Sequence, residues 1–460
     1  MATLDSQSRY ERLSGADVTN LLAERPGTPW HIGLIGVLDG DPLIAPDGSL
    51  QVDLVRDALT GALQQASRLR QVVRRTRPGQ GRPVWVDAGD VNLDRHVRVV
   101  PVPPPGDEPT FLHCCETVLA PAMDRLRPLW DLTLLPGLAE GRVGVVVRLH
   151  HALADGAAAI RLVQAMFDGP PLSPTGHHAS APAPSGCALA VDAWRVRVAG
   201  ARALLRKPPV RGLATAAGAL GSQLAALMHP TEPVPQTSLT RPIGHGRRLA
   251  LLRVPLEPVH AVAHAHTASI NDAVLAAVAG ALRAVLASRG EPADVTLRAS
   301  VPVSLRAAQP GPGGLGNRVG VLLVPLPLRE PDALRRMELI ADATRREKVK
   351  ARQAGPLAVM TTTLGIRLAL PLLRRQRLVS VFVTNVPGPM TPLRLAGAKL
   401  LRAYPAAPIA GNVTLGVGVL SYAGDLGLGL TADADAWPDL PVFVDALRES
   451  FDALTDSTGQ

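Results

Sequence analysis

The sequence predicts an α/β protein of two domains similar in size, and three observations carry that reading. At 460 residues the chain exceeds what one hydrophobic core ordinarily serves, so it divides. Short β-branched runs alternate with helix-length amphipathic runs in both halves, the pattern of strands and helices packed in layers. Between the halves, Gly169–Gly186 is rich in Pro, Ser, Gly and His and reads as a linker or exposed loop. Domains are therefore expected at 1–170 and 247–460, with a linker and helical crossover at 171–246.

The elements follow in order. Ser14 starts a helix as N-cap, with Asp17 three positions on to complete a capping box, and Pro26–Pro29 ends it. Trp30–Leu38 reads as a buried strand, Val52–Ala66 as a helix, and Leu69–Thr76, Pro83–Val86 and Val97–Val102 as strands. Pro103–Gly106 is a turn, Thr110–Ala120 a helix and Trp130–Leu135 a strand. Arg142–His150 is a strong apolar strand, with the helix Gly156–Phe167 behind it. Ala188–Leu205 and Gly212–Met228 are helical segments parted by Pro208 and Pro209. The second half offers strands at Arg248–Val254, Val295–Leu305, Arg318–Pro325, Leu378–Val383, Asn412–Tyr422 and Leu426–Ala432. Its helices are expected at Pro258–His266, Ile270–Arg289, Asp332–Ala351 and Asp439–Asp452.

Composition narrows the function classes. Hydrophobic residues make up 47% and aromatics 3%, so Leu, Val and Ala must fill the cores. The net charge of +9 suits nucleic acid, an anionic membrane surface or an anionic small molecule such as a nucleotide-bearing cofactor. No basic arm, zinc finger or recognition-helix module is present, and few aromatics remain to stack bases, which argues against nucleic acid. Cys114, Cys115 and Cys187 are odd in number and include no C-x-x-C spacing, so they form neither a disulfide framework nor a zinc site and suit a reducing compartment. The polar N-terminus carries no secretory signal, and the nearest apolar run, Gly212–Met228, reads as a packed helix. Membrane contact is expected to be peripheral, with the Leu-rich and basic Arg367–Arg377 as its candidate.

The chemistry concentrates at His150-His-Ala-Leu-Ala-Asp-Gly156, where a buried strand breaks into a helix. An imidazole there can take a proton from an attacking hydroxyl near neutral pH. Asp155 can shape the loop through an arginine, and Gly156 lets another element approach closely. Gly311–Gly316 matches G-x-G-x-x-G but leads into a strand, so it fails as a dinucleotide site. His260, His264 and His266 have no carboxylate to complete a metal site and read as a solvated face. No G-x-S-x-G elbow occurs, which argues against a hydrolase of that type.

The chain resembles the bacterial wax ester synthase/diacylglycerol acyltransferase family, within the superfamily of CoA-dependent acyltransferases that includes condensation domains. The resemblance spans nearly the whole chain. It rests on Leu13–Asp17, Pro128-Leu-Trp130, His150–Gly156, Asn271-Asp272 with Ala276–Leu282, and Val301–Arg306. Gly316–Arg318, Thr384–Pro389 and Asp433–Trp437 complete it. It implies two chloramphenicol-acetyltransferase-like domains forming a central tunnel, joined by a helical crossover. It implies that His151 is the general base, that His150 positions the loop, and that Asp155 is structural and paired with Arg306. Asn271, Thr384 and Asn385 are the candidate oxyanion donors, and with Asp272 and Trp130 the candidate substrate contacts. Acyl-CoA is implied as substrate, with no permanently bound cofactor and no metal. The acceptor is diacylglycerol, giving triacylglycerol, or a fatty alcohol, giving a wax ester. A cytoplasmic enzyme at a membrane or lipid-inclusion surface follows. A non-catalytic lipid-droplet protein of the same fold, and an acyltransferase acting on a carrier-protein-bound acceptor like a condensation domain, are the rival readings.

Overall fold

The computed structural model describes residues 10–25, 27–154, 156–167, 183–205, 233–304, 319–354 and 376–456. The first half runs β1 (Glu11–Arg12), α1 (Gly15–Ala23), β2 (His31–Leu38), α2 (Val52–Gln65), β3 (Gln71–Arg74) and β4 (Val84–Asp87). It continues with β5 (Val97–Val99), α3 (Glu108–Leu119), β6 (Trp130–Pro136), β7 (Val143–His150) and α4 (Gly156–Met166), and α5 (Gly186–Leu205) follows. The second half runs β8 (Arg247–Pro255), α6 (Leu256–Ala265), α7 (Ile270–Ser288), β9 (Thr296–Ser304), β10 (Val319–Pro327) and α8 (Ala333–Ala354). It closes with β11 (Val381–Pro387), β12 (Arg394–Leu395), β13 (Ala398–Ala406), β14 (Leu415–Tyr422), β15 (Asp425–Asp433) and α9 (Leu440–Thr455).

Two six-stranded sheets organise these elements, in the orders β12-β13-β2-β7-β6-β5 and β10-β9-β11-β14-β15-β8. The α/β class and the two sheet-rich domains are as the sequence predicts. In the first sheet, Val145, Val147 and Leu149 of β7 enter a core that includes Val55 and Leu59 of α2 and Leu162 of α4. Val146 faces the other way, toward Phe111 and Cys115 of α3. A strand buried on both faces reads as a continuous apolar run, which is why this stretch dominates the sequence. In the second domain α7 is buried almost all round, from Ala273 to Leu286. Among the described residues it is long and apolar enough to cross a membrane, but here it is the core helix.

The start of α1 is the expected box: the Asp17 N–H donates to Ser14 Oγ, and the Ser14 N–H to Asp17 Oδ2. Other boundaries move. Leu69–Thr76 is a 3₁₀ turn followed by the shorter β3, and β11 runs on through Thr384 and Asn385 to Pro387. Gly212–Met228, Gly311–Gly316 and most of Arg367–Arg377 lie outside the described residues.

The largest departure is Ala398–Ala406, a strand the sequence reading leaves unassigned. A register shift between Leu400 and Arg402 breaks its apolar–polar alternation, and Pro405 reads as a strand breaker. β13 belongs to the second half, yet it pairs with β2 and completes the first sheet. Its backbone lies against the other sheet on glycines. A Cβ on Gly427 would stand 2.1 Å from the Ala403 carbonyl oxygen, and one on Gly429 2.0 Å from that of Pro405. The Leu-Gly-Leu-Gly run of β15 is thus a groove for a crossing strand. The expected boundaries at 1–170 and 247–460 are bridged by this hairpin.

Candidate active site

β7 is central to its sheet, with His31 of β2 opposite His150 and Trp130 of β6 opposite Leu149. Its last residue, His150, is completely buried. The His150 N–H donates to the Leu129 carbonyl at 2.9 Å, so the Pro128-Leu-Trp130 segment closes the strand end. The Ala152 N–H donates to His150 Nδ1 at 3.0 Å, which leaves the proton of the neutral ring on Nε2. That nitrogen faces Glu24 Oε2 at 3.7 Å, beyond hydrogen-bond distance.

Glu24 in turn accepts from Arg125 at 2.7 and 3.1 Å. Burial raises the Glu24 carboxyl, but His150 and Arg125 outweigh it and hold the group down to about 2, so it is ionised at neutral pH. His31 is pushed down to about 3, chiefly by burial and then by the Arg148 charge, and is neutral. Two residues before His150 on the same strand, Arg148 forks onto Asp131 of β6 at 2.8 and 2.6 Å and also donates to the Pro121 carbonyl. His150 is thus buried at the strand end, bonded on one side to the Leu129 carbonyl and on the other to the Ala152 N–H of the loop.

His151 sits one residue higher and is half-buried. Its N–H donates to the Trp30 carbonyl at 3.0 Å. Its carbonyl accepts from Asn20 Nδ2 at 2.8 Å, and the same nitrogen lies 3.3 Å from ring atom Nδ1. The Trp30 indole lies beside the imidazole, centroids 6.3 Å apart, and donates its N–H to Asn20 Oδ1 at 3.0 Å.

Gly156 opens α4 against the second domain: a Cβ there would stand 3.1 Å from Val386 Cγ2 of β11. Strand alternation puts Thr384 on the same face as Val386, toward the motif. Asn385 shares its face with Val381 and Val383, which enter the second core. Among the described residues β11 pairs with β9 only at Val381 and Phe382, and from Thr384 to Pro387 its partner is β14. Asp155 and Arg306 lie outside the described residues.

Other expected site residues have structural tasks. Trp130 is 2% exposed, donates its indole N–H to the Leu69 carbonyl and stacks on His96, so it packs in the first core. The N-cap of α7 is Ser269. Asp272 is spent on that cap, accepting from the Ser269 N–H and Oγ, while Asn271 is half-buried beside it. His266 pairs with Glu338, and no metal-binding group of His, Cys, Asp and Glu occurs among the described residues. Burial pushes the Cys114 and Cys115 thiols up, away from the thiolate a nucleophile needs.

Asn20, Glu24 and Trp30 were missed by sequence reasoning. Asn20 and Glu24 are four residues apart at the end of α1, so helical spacing places them on one side. Nothing local says that this side meets the motif.

A family profile described as the wax ester synthase/diacylglycerol acyltransferase catalytic domain matches residues 13–274, and the corresponding C-terminal domain matches 315–455. The probable diacylglycerol O-acyltransferase tgs1 of Mycobacterium tuberculosis is 32% identical over 421 residues, covering 89% of this chain and 87% of its own. A solved wax ester synthase/diacylglycerol acyltransferase from Marinobacter aquaeolei VT8 superposes with a TM-score of 0.66 at 24% identity, covering 98% of this chain and all of its own. The starter condensation domain of rhizomide synthetase, solved with C8-CoA and Leu-SNAC, superposes at 0.60 with 16% identity, covering 100% of this chain and 97% of its own.

Proposed function

The chain belongs to the wax ester synthase/diacylglycerol acyltransferase family, and from that premise we propose that it transfers a long-chain acyl group from acyl-CoA to diacylglycerol, forming triacylglycerol. His151 is the general base. It takes the proton of the acceptor hydroxyl as that oxygen attacks the thioester carbonyl. The tetrahedral intermediate collapses, the C–S bond breaks, and the leaving thiolate takes the proton back from the imidazolium to depart as CoA. No acyl-enzyme forms, and no resident cofactor is required.

The observation that carries this reading is the placement of His151. It stands on a loop clamped by Asn20 and Trp30, above a buried His150, where Gly156 meets β11 of the second domain. A base presented at the seam between two sheets can meet acyl donor and acceptor arriving from different sides. Thr384, on the seam-facing side of β11, is the favoured donor to the oxyanion; a preorganised donor there contributes about 3–4 kcal/mol.

The acyl-CoA donor is supported by the family and by the C8-CoA in the rhizomide synthetase neighbour. Diacylglycerol is favoured by the names of the mycobacterial relatives. The family description also covers a fatty alcohol acceptor, which the same base would serve. Lipophilic substrates and a net charge of +9 suit a cytoplasmic enzyme attached peripherally to an anionic membrane or lipid-droplet surface.

The test is CoA release from palmitoyl-CoA with diacylglycerol, monoacylglycerol and long-chain alcohols in turn. The fastest turnover is expected with diacylglycerol, and His151→Ala is expected to abolish it while the protein stays folded. Preference for the alcohol would make the chain a wax ester synthase. Release unstimulated by any hydroxyl acceptor would refute the acyltransferase reading.

A further inference from the structure

Trp30, Asn20 and His151 form a chain of hydrogen bonds whose direction is set at one end. An indole N–H can only donate, and that of Trp30 donates to Asn20 Oδ1 at 3.0 Å. The Asn20 amide is therefore oriented with its nitrogen toward His151. That nitrogen donates to the His151 carbonyl at 2.8 Å and stands 3.3 Å from ring atom Nδ1. The loop is tied a second time by the His151 N–H on the Trp30 carbonyl. Backbone and ring of His151 are thus both indexed to residues 131 and 121 positions earlier in the chain.

We propose that Asn20 is a positioning residue for His151, setting the height and tilt of its imidazole at the seam, with Trp30 fixing the Asn20 amide in the orientation that does so. The inference rests on the reading of His151 as the base. Asn20 acts through His151 and not on the substrate. The donor group matters more than the shape. Asn20→Asp keeps the volume and the acceptor for Trp30, but it turns a carboxylate oxygen toward the His151 carbonyl oxygen, which repels the loop. Asn20→Leu keeps comparable bulk and removes both bonds.

The experiment measures kcat, KM for palmitoyl-CoA and melting temperature in wild type, Asn20→Asp, Asn20→Leu, Trp30→Phe and His151→Ala. A catalytic group displaced by about 1 Å can lose on the order of a hundredfold in rate, so both Asn20 variants are expected to lose about tenfold to a hundredfold in kcat. Their KM should stay within about threefold and their melting temperature within a few degrees, the pattern of a lost transition-state arrangement and not of lost binding. Trp30→Phe should fall between these variants and wild type. A merely structural role would lower the melting temperature and leave kcat per folded molecule intact. Wild-type kcat in Asn20→Asp, beside an inactive His151→Ala, overturns the inference and leaves the base assignment standing. Wild-type activity in His151→Ala removes the base assignment itself. If the Asn20 variants do not fold, Trp30→Phe decides, because it frees the amide without adding charge, and an unchanged kcat there overturns the inference.

Discussion

Asp131→Ala tests the foundation on which the motif stands. Arg148 is 2% exposed and lies two residues before His150 on β7, cross-strand from Asp131. The carboxylate takes both arms of its guanidinium and a further contact from Arg98 at 3.0 Å. Without Asp131, Arg148 keeps the Pro121 carbonyl but becomes a buried cation without a counter-charge, with Arg98 nearby as a second cation. Breaking one side of such a pair costs about 3–5 kcal/mol. That is a large part of the roughly 5–15 kcal/mol that stabilises a typical domain. Read as melting temperature, the loss corresponds to about 6–20 °C at about 2–4 °C per kcal/mol. Differential scanning calorimetry measures it directly. The double variant Asp131→Leu, Arg148→Leu should recover most of the loss, because no charge then remains to be desolvated. A single-variant shift below about 1 kcal/mol, or a double variant worse than the single, would refute the reasoning.

Other predictions follow from the same structure. His31 is held down to about 3 in the fold against an ordinary value of 6.5, so the unfolded chain binds one proton more between those limits. Stability from this group is complete above pH 6.5 and falls as pH drops toward 3, by about 1.4 kcal/mol per pH unit. The urea midpoint of His31→Phe should be flatter than wild type across pH 7 to 5, and parallel curves would contradict this. Glu24, held down to about 2, loses its share in the same direction as pH falls below 4.5, and Glu24→Gln should remove that part. Gly429→Ala drives a methyl into the Pro405 carbonyl and should cost about 1–3 kcal/mol or more in a melting experiment. Alkylation under native conditions should modify the exposed Cys187, spare Cys115 and leave turnover intact; loss of activity tracking Cys115 modification would implicate a thiol.

Much of this architecture is legible in the sequence because its signals are local. β7 is buried on both faces and so announces itself as an apolar run, and the His150–Gly156 motif is contiguous. Ser14 and Asp17 form the expected capping box because capping depends on residues three apart. What escaped depends on pairings between distant segments. Asn20, Glu24 and Trp30 matter only because β2 lies beside β7, bringing His31 opposite His150. Trp130 could be taken for a substrate contact because an indole at a strand entry serves a core or a binding wall equally well; its bond to the Leu69 carbonyl places it in the core. β13 was hidden by its own bulge and by Pro405, while the Leu-Gly-Leu-Gly and Leu-Gly-Val-Gly runs that receive it were legible as strands but not as a groove.

The β12–β13 hairpin has a consequence for how this family can be cut and recombined. A fragment ending before residue 394 carries the motif but leaves the β2 edge bare, with a row of unsatisfied main-chain donors and acceptors ready to pair with other chains. A fragment starting at residue 247 carries β13 paired only to the two-residue β12, without β2, its partner from Leu400 to Ala406. Chimeras that exchange halves between relatives should therefore keep residues 394–406 and β2 from one parent, even though Arg394 lies 356 positions after Leu38, because the unit of inheritance here is the sheet and not the contiguous segment.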